Sequence, residues 1–96
     1  MNYPNEPPEP TFVTITGMQR KIKRVNYVVI PETTTTLCLM EMNNGFVVIG
    51  QSGCVDKKMF NTALGEKYAY DKAIDKLWEL EGYLLAEKLN GEDNAS

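Results

Sequence analysis

The pair Asn44-Gly45 divides two apolar runs, residues 37–42 and 46–49, and limits the fold more tightly than any other feature of the chain. Asn-Gly favours a two-residue hairpin turn, because both central positions need positive φ and these residues tolerate it best. The turn predicts two antiparallel strands, over residues 34–42 and 46–51, and also their register. Asn43 falls opposite Phe46, Met42 opposite Val47, Glu41 opposite Val48 and Met40 opposite Ile49. Side chains alternate across a strand, so one face is expected to carry Cys38, Met40, Met42, Val47 and Ile49. The other carries Leu37, Leu39, Phe46 and Val48, with Glu41 among them. A sheet wet on one side alternates cleanly between polar and apolar residues. This one does not, and is expected to be covered on both faces.

Residues 25–30 (VNYVVI) are β-branched and aromatic and read as a further strand, closed by the turn Pro31-Glu32-Thr33. Upstream, either Thr16 caps a short helix through Arg24 or residues 11–16 form an edge strand. After the hairpin, Asp56 is placed to cap a short turn through Phe60, and Asn61 or Thr62 to cap the main helix. There Ala63, Tyr70, Ala73, Ile74, Leu77, Trp78, Leu84 and Leu85 recur at helical spacing, with Asp71, Lys72, Asp75, Lys76 and Glu79 mostly opposite. Gly82 costs a helix about 1 kcal/mol against alanine, and a break is expected near residues 79–82. A left-handed cap is expected at Asn90-Gly91.

Residues 1–10, with four prolines and two glutamates, read as a disordered tail, as do residues 90–96. The fold class is therefore a single α+β domain over residues 11–89. It consists of a three-stranded antiparallel meander packed by one long or two shorter C-terminal helices. One helical layer covers one face of such a sheet; the other is left for a second copy of the chain or a partner protein.

The chain has 96 residues and a net charge of −3, against the basic balance of a nucleic-acid binder, so no nucleic-acid partner is expected. Arg20, Lys21, Lys23 and Arg24 form its one basic cluster; no aromatics interleave with them, so they read first as a solvated segment. The first ten residues have neither a basic start nor an apolar run, so no secretory leader is expected. With no long apolar stretch, no membrane association is expected either.

The stretch GFVVIGQSGCVD, residues 45–56, sets Ser52 and Cys54 between a strand and a helix, where many enzymes keep a nucleophile. Its second glycine comes one place early for a nucleophile elbow, and the chain contains no histidine to act as base. Two cysteines without histidine do not complete a zinc site. No metal or cofactor is expected, the thiols are read as reduced, and the loop is read as a connector. Gly50 is expected to mark a bulge or a close backbone approach. No catalytic residues are assigned, and the chain is not expected to be an enzyme.

The order of parts resembles the gene-49/gene-66-like family of small tailed-phage proteins. The matching positions are Val25, Tyr27, Val29 and Pro31; Thr36, Leu37 and Cys38; Asn44, Gly45, Phe46, Val48, Gly50, Ser52, Cys54 and Val55; Phe60; Gly65, Lys67 and Ala69; then Ala73, Lys76, Trp78 and residues 80–85. Members often carry proline where this chain has Glu79. The resemblance implies phage origin, expression in the host bacterial cytoplasm and an accessory role outside the virion; it brings no established activity.

With these features the leading expectation is a non-catalytic phage accessory protein. It would self-associate as a homodimer or larger oligomer and bind a host protein, inhibiting or redirecting it, with antiviral defence as one target class. Arg20, Lys21, Lys23, Arg24, Glu41, Phe46, Tyr68 and Tyr83 are the candidate partner-binding residues. The alternatives are a protein that sequesters a nucleotide signal, with the basic cluster and aromatics at a subunit interface, and a minor virion or assembly component.

Overall fold

The computed structural model describes residues 12–94; the expected tail over residues 1–10 lies outside the described residues. The order is α1 (Ile15–Arg20), β1 (Ile22–Val29), β2 (Thr36–Met42), β3 (Val47–Ser52), a 3-10 turn (Lys57–Met59) and α2 (Thr62–Asn94). The strands form one antiparallel sheet in the order β1-β2-β3. The expected α+β meander backed by a C-terminal helix is the fold observed.

The N-terminal elements differ from expectation in where they begin. Thr14, not Thr16, caps the first helix, accepting from the Gly17 N–H at 3.0 Å. That helix stops at Arg20, so Lys23 and Arg24 belong to β1. Asp56 caps the 3-10 turn, accepting from Lys58 N–H at 2.9 Å. Asn61 caps α2, its Oδ1 accepting from Leu64 N–H at 3.1 Å. Both capping roles follow from short polar side chains that satisfy orphan amides.

The hairpin closes differently from the expected two-residue turn. Met42 N–H donates to Phe46 C=O at 2.8 Å and Gly45 N–H to Met42 C=O at 2.9 Å, so the loop is three residues long. Gly45 alone among the described glycines has positive φ, at 89°, the place of a bulge glycine after an ordinary turn. Asn44 Oδ1 steadies the loop by accepting from Phe46 N–H at 3.0 Å.

The longer loop moves the register by one. Glu41 faces Val47, Met40 faces Val48, Leu39 faces Ile49 and Cys38 faces Gly50. A shift of one residue exchanges the faces of a strand. Val48, not Val47 and Ile49, therefore joins Cys38, Met40 and Met42 in the core, at 3% exposure. The alternation within β2 is as expected.

α2 covers that face through small residues. A Cβ on Gly50 would lie 2.1 Å from the Ala69 carbonyl oxygen and 2.4 Å from Ala73 N, so the glycine is what lets the helix backbone reach β3. Ala69 and Ala73 are fully buried there, followed by Ile74 and Leu77. Gly65 crosses Thr36 with similar closeness, and Ser52 Oγ donates to the Gly65 carbonyl at 2.7 Å.

The expected break at residues 79–82 does not occur, and α2 also runs through Asn90-Gly91, where a left-handed cap was expected. A Cβ on Gly82 would meet open space, and a lone glycine costs a helix only about 1 kcal/mol, too little to end one whose preceding turns are docked through Ala69, Ala73, Ile74 and Leu77. Glu81 anchors that stretch: its Oε1 lies 2.7 Å from Lys21 Nζ at the end of α1. At 1.5 Å per residue α2 is about 50 Å long, and the strands of six to eight residues span only about 20–26 Å. Its C-terminal part therefore overhangs the sheet, with Leu80, Tyr83 and Leu84 exposed.

Candidate functional site: the uncovered face of the sheet

The pairing places three rows on the face away from α2: Val28, Leu37 and Gln51; Asn26, Leu39 and Ile49; Arg24, Glu41 and Val47. Val28, Val47 and Ile49 are 43%, 48% and 44% exposed. Leu37 and Leu39, on the central strand, are half-buried between them. A hydrophobic surface thus stands open where the antiparallel pattern usually puts polar groups.

One end of the face is charged. Glu41 Oε1 accepts from Arg24 Nε at 2.9 Å, and Lys23 Nζ stands 3.8 Å from its other oxygen. The register brings Arg24 directly opposite Glu41, beside a bulge between Ile22 and Arg24. Such partly exposed pairs contribute little to stability, but they give the patch a polar, directional rim.

The other candidate residues are spread over the molecule. Lys21 is held by Glu81, so three of the four basic residues face carboxylates rather than forming a free cationic grip. Phe46 is exposed at the hairpin, Tyr68 on the first half of α2 and Tyr83 on its overhang. Lys67 Nζ sits 5.5 Å from the centre of the Tyr68 ring. Only Arg24, Lys23 and Glu41 come together, at the rim of the open face. The sequence did not single out Val28, and the expected register grouped Val47 and Ile49 with Cys38, Met40 and Met42; the close approach at Gly50, which fixes the helix-facing side of β3, was the signal that would have placed them.

The loop with Ser52 and Cys54 is tied into the fold. Ser52 spends its hydroxyl hydrogen on Gly65. Thr34 Oγ1 donates to the Cys54 carbonyl and accepts from its N–H, while Cys54 Sγ donates to the Asp56 carbonyl at 3.1 Å. The cavity beside it, about 140 Å³ and lined by Phe60, Leu64 and Tyr68 among others, is mostly apolar. A larger cleft of about 290 Å³ lies between α1 and the end of α2, lined by Phe12, Val13, Met18, Leu84 and Leu85 with Lys21, Glu81 and Lys88.

Two groups on the covered side titrate abnormally. Burial pushes the Cys38 thiol up from its ordinary 9.0. Tyr27, which pairs with Cys38 across the strands, is raised above 10.0, by burial first and then by the nearby Cys38, Glu66, Tyr70 and Asp71. Among the described residues no group of three or more Cys, Asp or Glu side chains is placed to hold a metal, and no helix is long and apolar enough to cross a membrane.

A three-stranded meander roofed by one helix and, among the described residues, bare beneath defines a small α+β protein with an apolar surface on offer. Residues 13–89 match the model of the Phage protein (N4 Gp49/phage Sf6 gene 66) family, and the chain belongs to that family. It is a small phage-encoded protein. No curated protein and no solved structure matches it.

Proposed function

We propose that this chain is a non-catalytic accessory protein that acts in the host bacterial cytoplasm by binding a host protein, inhibiting or redirecting it, and that it works as a homo-oligomer. The observation that carries this reading is the open sheet face: Leu37, Leu39, Val47, Ile49 and Val28 beside the Arg24–Glu41 pair. A surface of this kind, apolar at the centre and charged at the rim, has the composition of a protein-binding patch. A chain without histidine, whose Ser52 hydroxyl is spent on a backbone carbonyl, also favours binding over turnover.

The test is affinity capture from host lysate with the wild-type chain and with Ile49→Lys, which sets a charge in the middle of the face without touching the core. The reading expects one or more host proteins enriched by the wild type and reduced at least ten-fold by the variant. No enrichment, or enrichment indifferent to the substitution, overturns it.

A further inference from the structure

The two edges of the sheet differ. At the β3 edge the Ile49 carbonyl accepts from Lys76 Nζ at 2.6 Å, so a lysine from α2 occupies it; charged side chains are a usual way to blunt a strand edge. Among the described residues β1 has no equivalent. α2 packs over β3 and β2, leaving Tyr27, Val28 and Val29 each a third or more exposed. β1 thus offers a bare strand edge, apolar on both sides.

The ladder shows which groups are bare. Ile30 N–H donates to Thr35 C=O at 2.9 Å, and antiparallel pairs alternate between bonded and unbonded. Asn26 and Val28 therefore bond towards β2, while the N–H and C=O groups of Val25, Tyr27 and Val29 point away from it. The sequence of this edge, Val25-Asn26-Tyr27-Val28-Val29, places valines symmetrically about the tyrosine.

We propose that β1 pairs antiparallel with β1 of a second copy about a two-fold axis at Tyr27, joining two three-stranded sheets into one continuous sheet. This deepens the binding-protein reading by assigning the second copy to the strand edge, which leaves the open face to the host protein. Tyr27 then faces its own copy and Val25 faces Val29 of the partner subunit. The three facing pairs exchange about six backbone hydrogen bonds. Glu32, in the turn after β1, arrives at the end of the partner strand that carries Lys23 and Arg24. The two basic ends themselves stay about 26 Å apart. Moving the two-fold axis by two residues either way, a register slide of four, sets Tyr27 against Lys23 or against Pro31, which has no N–H to donate. A strand with these properties fits itself better than it fits an arbitrary edge.

The experiment is the native mass of the full chain at micromolar concentration, beside Tyr27→Lys and Ile49→Lys. The expected results are a species of twice 10.8 kDa for the wild type and Ile49→Lys, and at least a ten-fold rise in dissociation constant for Tyr27→Lys, with helicity by circular dichroism unchanged. Should Tyr27→Lys fail to fold, Tyr27→Cys serves, in a chain whose free Cys38, opposite position 27 on β2, and Cys54 are both replaced by alanine. Facing bonded residues lie about 5.5 Å apart at Cα, inside the range a disulfide spans, so mild oxidation links two copies through position 27 and leaves a Val28→Cys chain unlinked. A monomeric wild type, a dimer lost in Ile49→Lys but kept in Tyr27→Lys, or no position-27 crosslink each overturns the proposal. Host-protein capture by the Tyr27→Lys monomer separates the two readings: it survives if only the edge pairing is wrong or absent.

Discussion

Replacing Gly50 with alanine probes the contact on which the whole arrangement depends. The added Cβ would sit 2.1 Å from the Ala69 oxygen, whereas real Cβ contacts essentially never fall below 3.0 Å. Both near atoms are backbone, so no side chain can rotate aside and α2 itself must lift. A radial gap of 0.5–1 Å forfeits about a quarter to a half of each dispersion contact across it. The contacts at stake are those of Ala69, Ala73, Ile74 and Leu77 with Cys38, Met40 and Val48, the centre of the core. The expected loss is about 3 kcal/mol, at the upper end for overpacking. In a domain of this size that lowers the melting temperature by roughly 12–24 °C. Urea unfolding followed by far-ultraviolet circular dichroism measures it. Gly82→Ala is the matched control: it meets nothing within 4 Å and is expected to stabilise by about 1 kcal/mol through helix propensity. A Gly50→Ala loss below about 1 kcal/mol would refute the close-approach reasoning.

Three further substitutions test separate parts of the account. Among the described residues Thr36 Oγ1 is buried without a hydrogen-bond partner, so the isosteric Thr36→Val is expected to be neutral or to stabilise by about 1 kcal/mol, read from the urea midpoint. Lys21→Ala leaves the nearly buried Glu81 carboxylate without its cation and is expected to cost about 1 kcal/mol, more than a fully exposed pair would. Because the Cys38 pKa is raised in the folded chain, its contribution to stability is whole below the unfolded value near 9 and is lost as pH rises towards the folded value. Cys38→Ala is therefore expected to show a shallower fall of the urea midpoint than the wild type as pH rises through and above the ordinary thiol value of 9.0, despite a lower midpoint at neutral pH.

The sequence disclosed the meander, the main helix and its cap at one of two adjacent residues, Asn61 or Thr62, of which the structure uses Asn61, because strand composition, hydrophobic period and capping chemistry are local signals. It misled at the hairpin, where local chemistry permits two answers. Asn43-Asn44-Gly45 closes equally well as a strand residue plus a two-residue turn or as a three-residue loop, and that choice moves Val47, Val48 and Ile49 to opposite faces. The constraint that decides it, Gly50 beneath Ala69 and Ala73, spans some 20 residues of sequence. The unbroken α2 was hidden for a similar reason. Gly82 looks like a breaker in isolation, yet the Lys21–Glu81 contact that holds the helix beside it joins elements 60 residues apart. Of the candidate site, the idea of a sheet apolar on two sides was legible in the composition of the strands. Which residues form the open side was not, since it follows from the register.

The account rests on the bare sheet face being the surface that meets a host protein. Its most direct test is site-specific photo-crosslinking inside host cells, with a photoreactive residue replacing either Leu39, at the centre of that face, or Asp75, on the solvent side of α2. A discrete host-protein adduct from position 39 and none from position 75 is the result expected. Adducts from position 75 alone, or the same adducts from both, would contradict it.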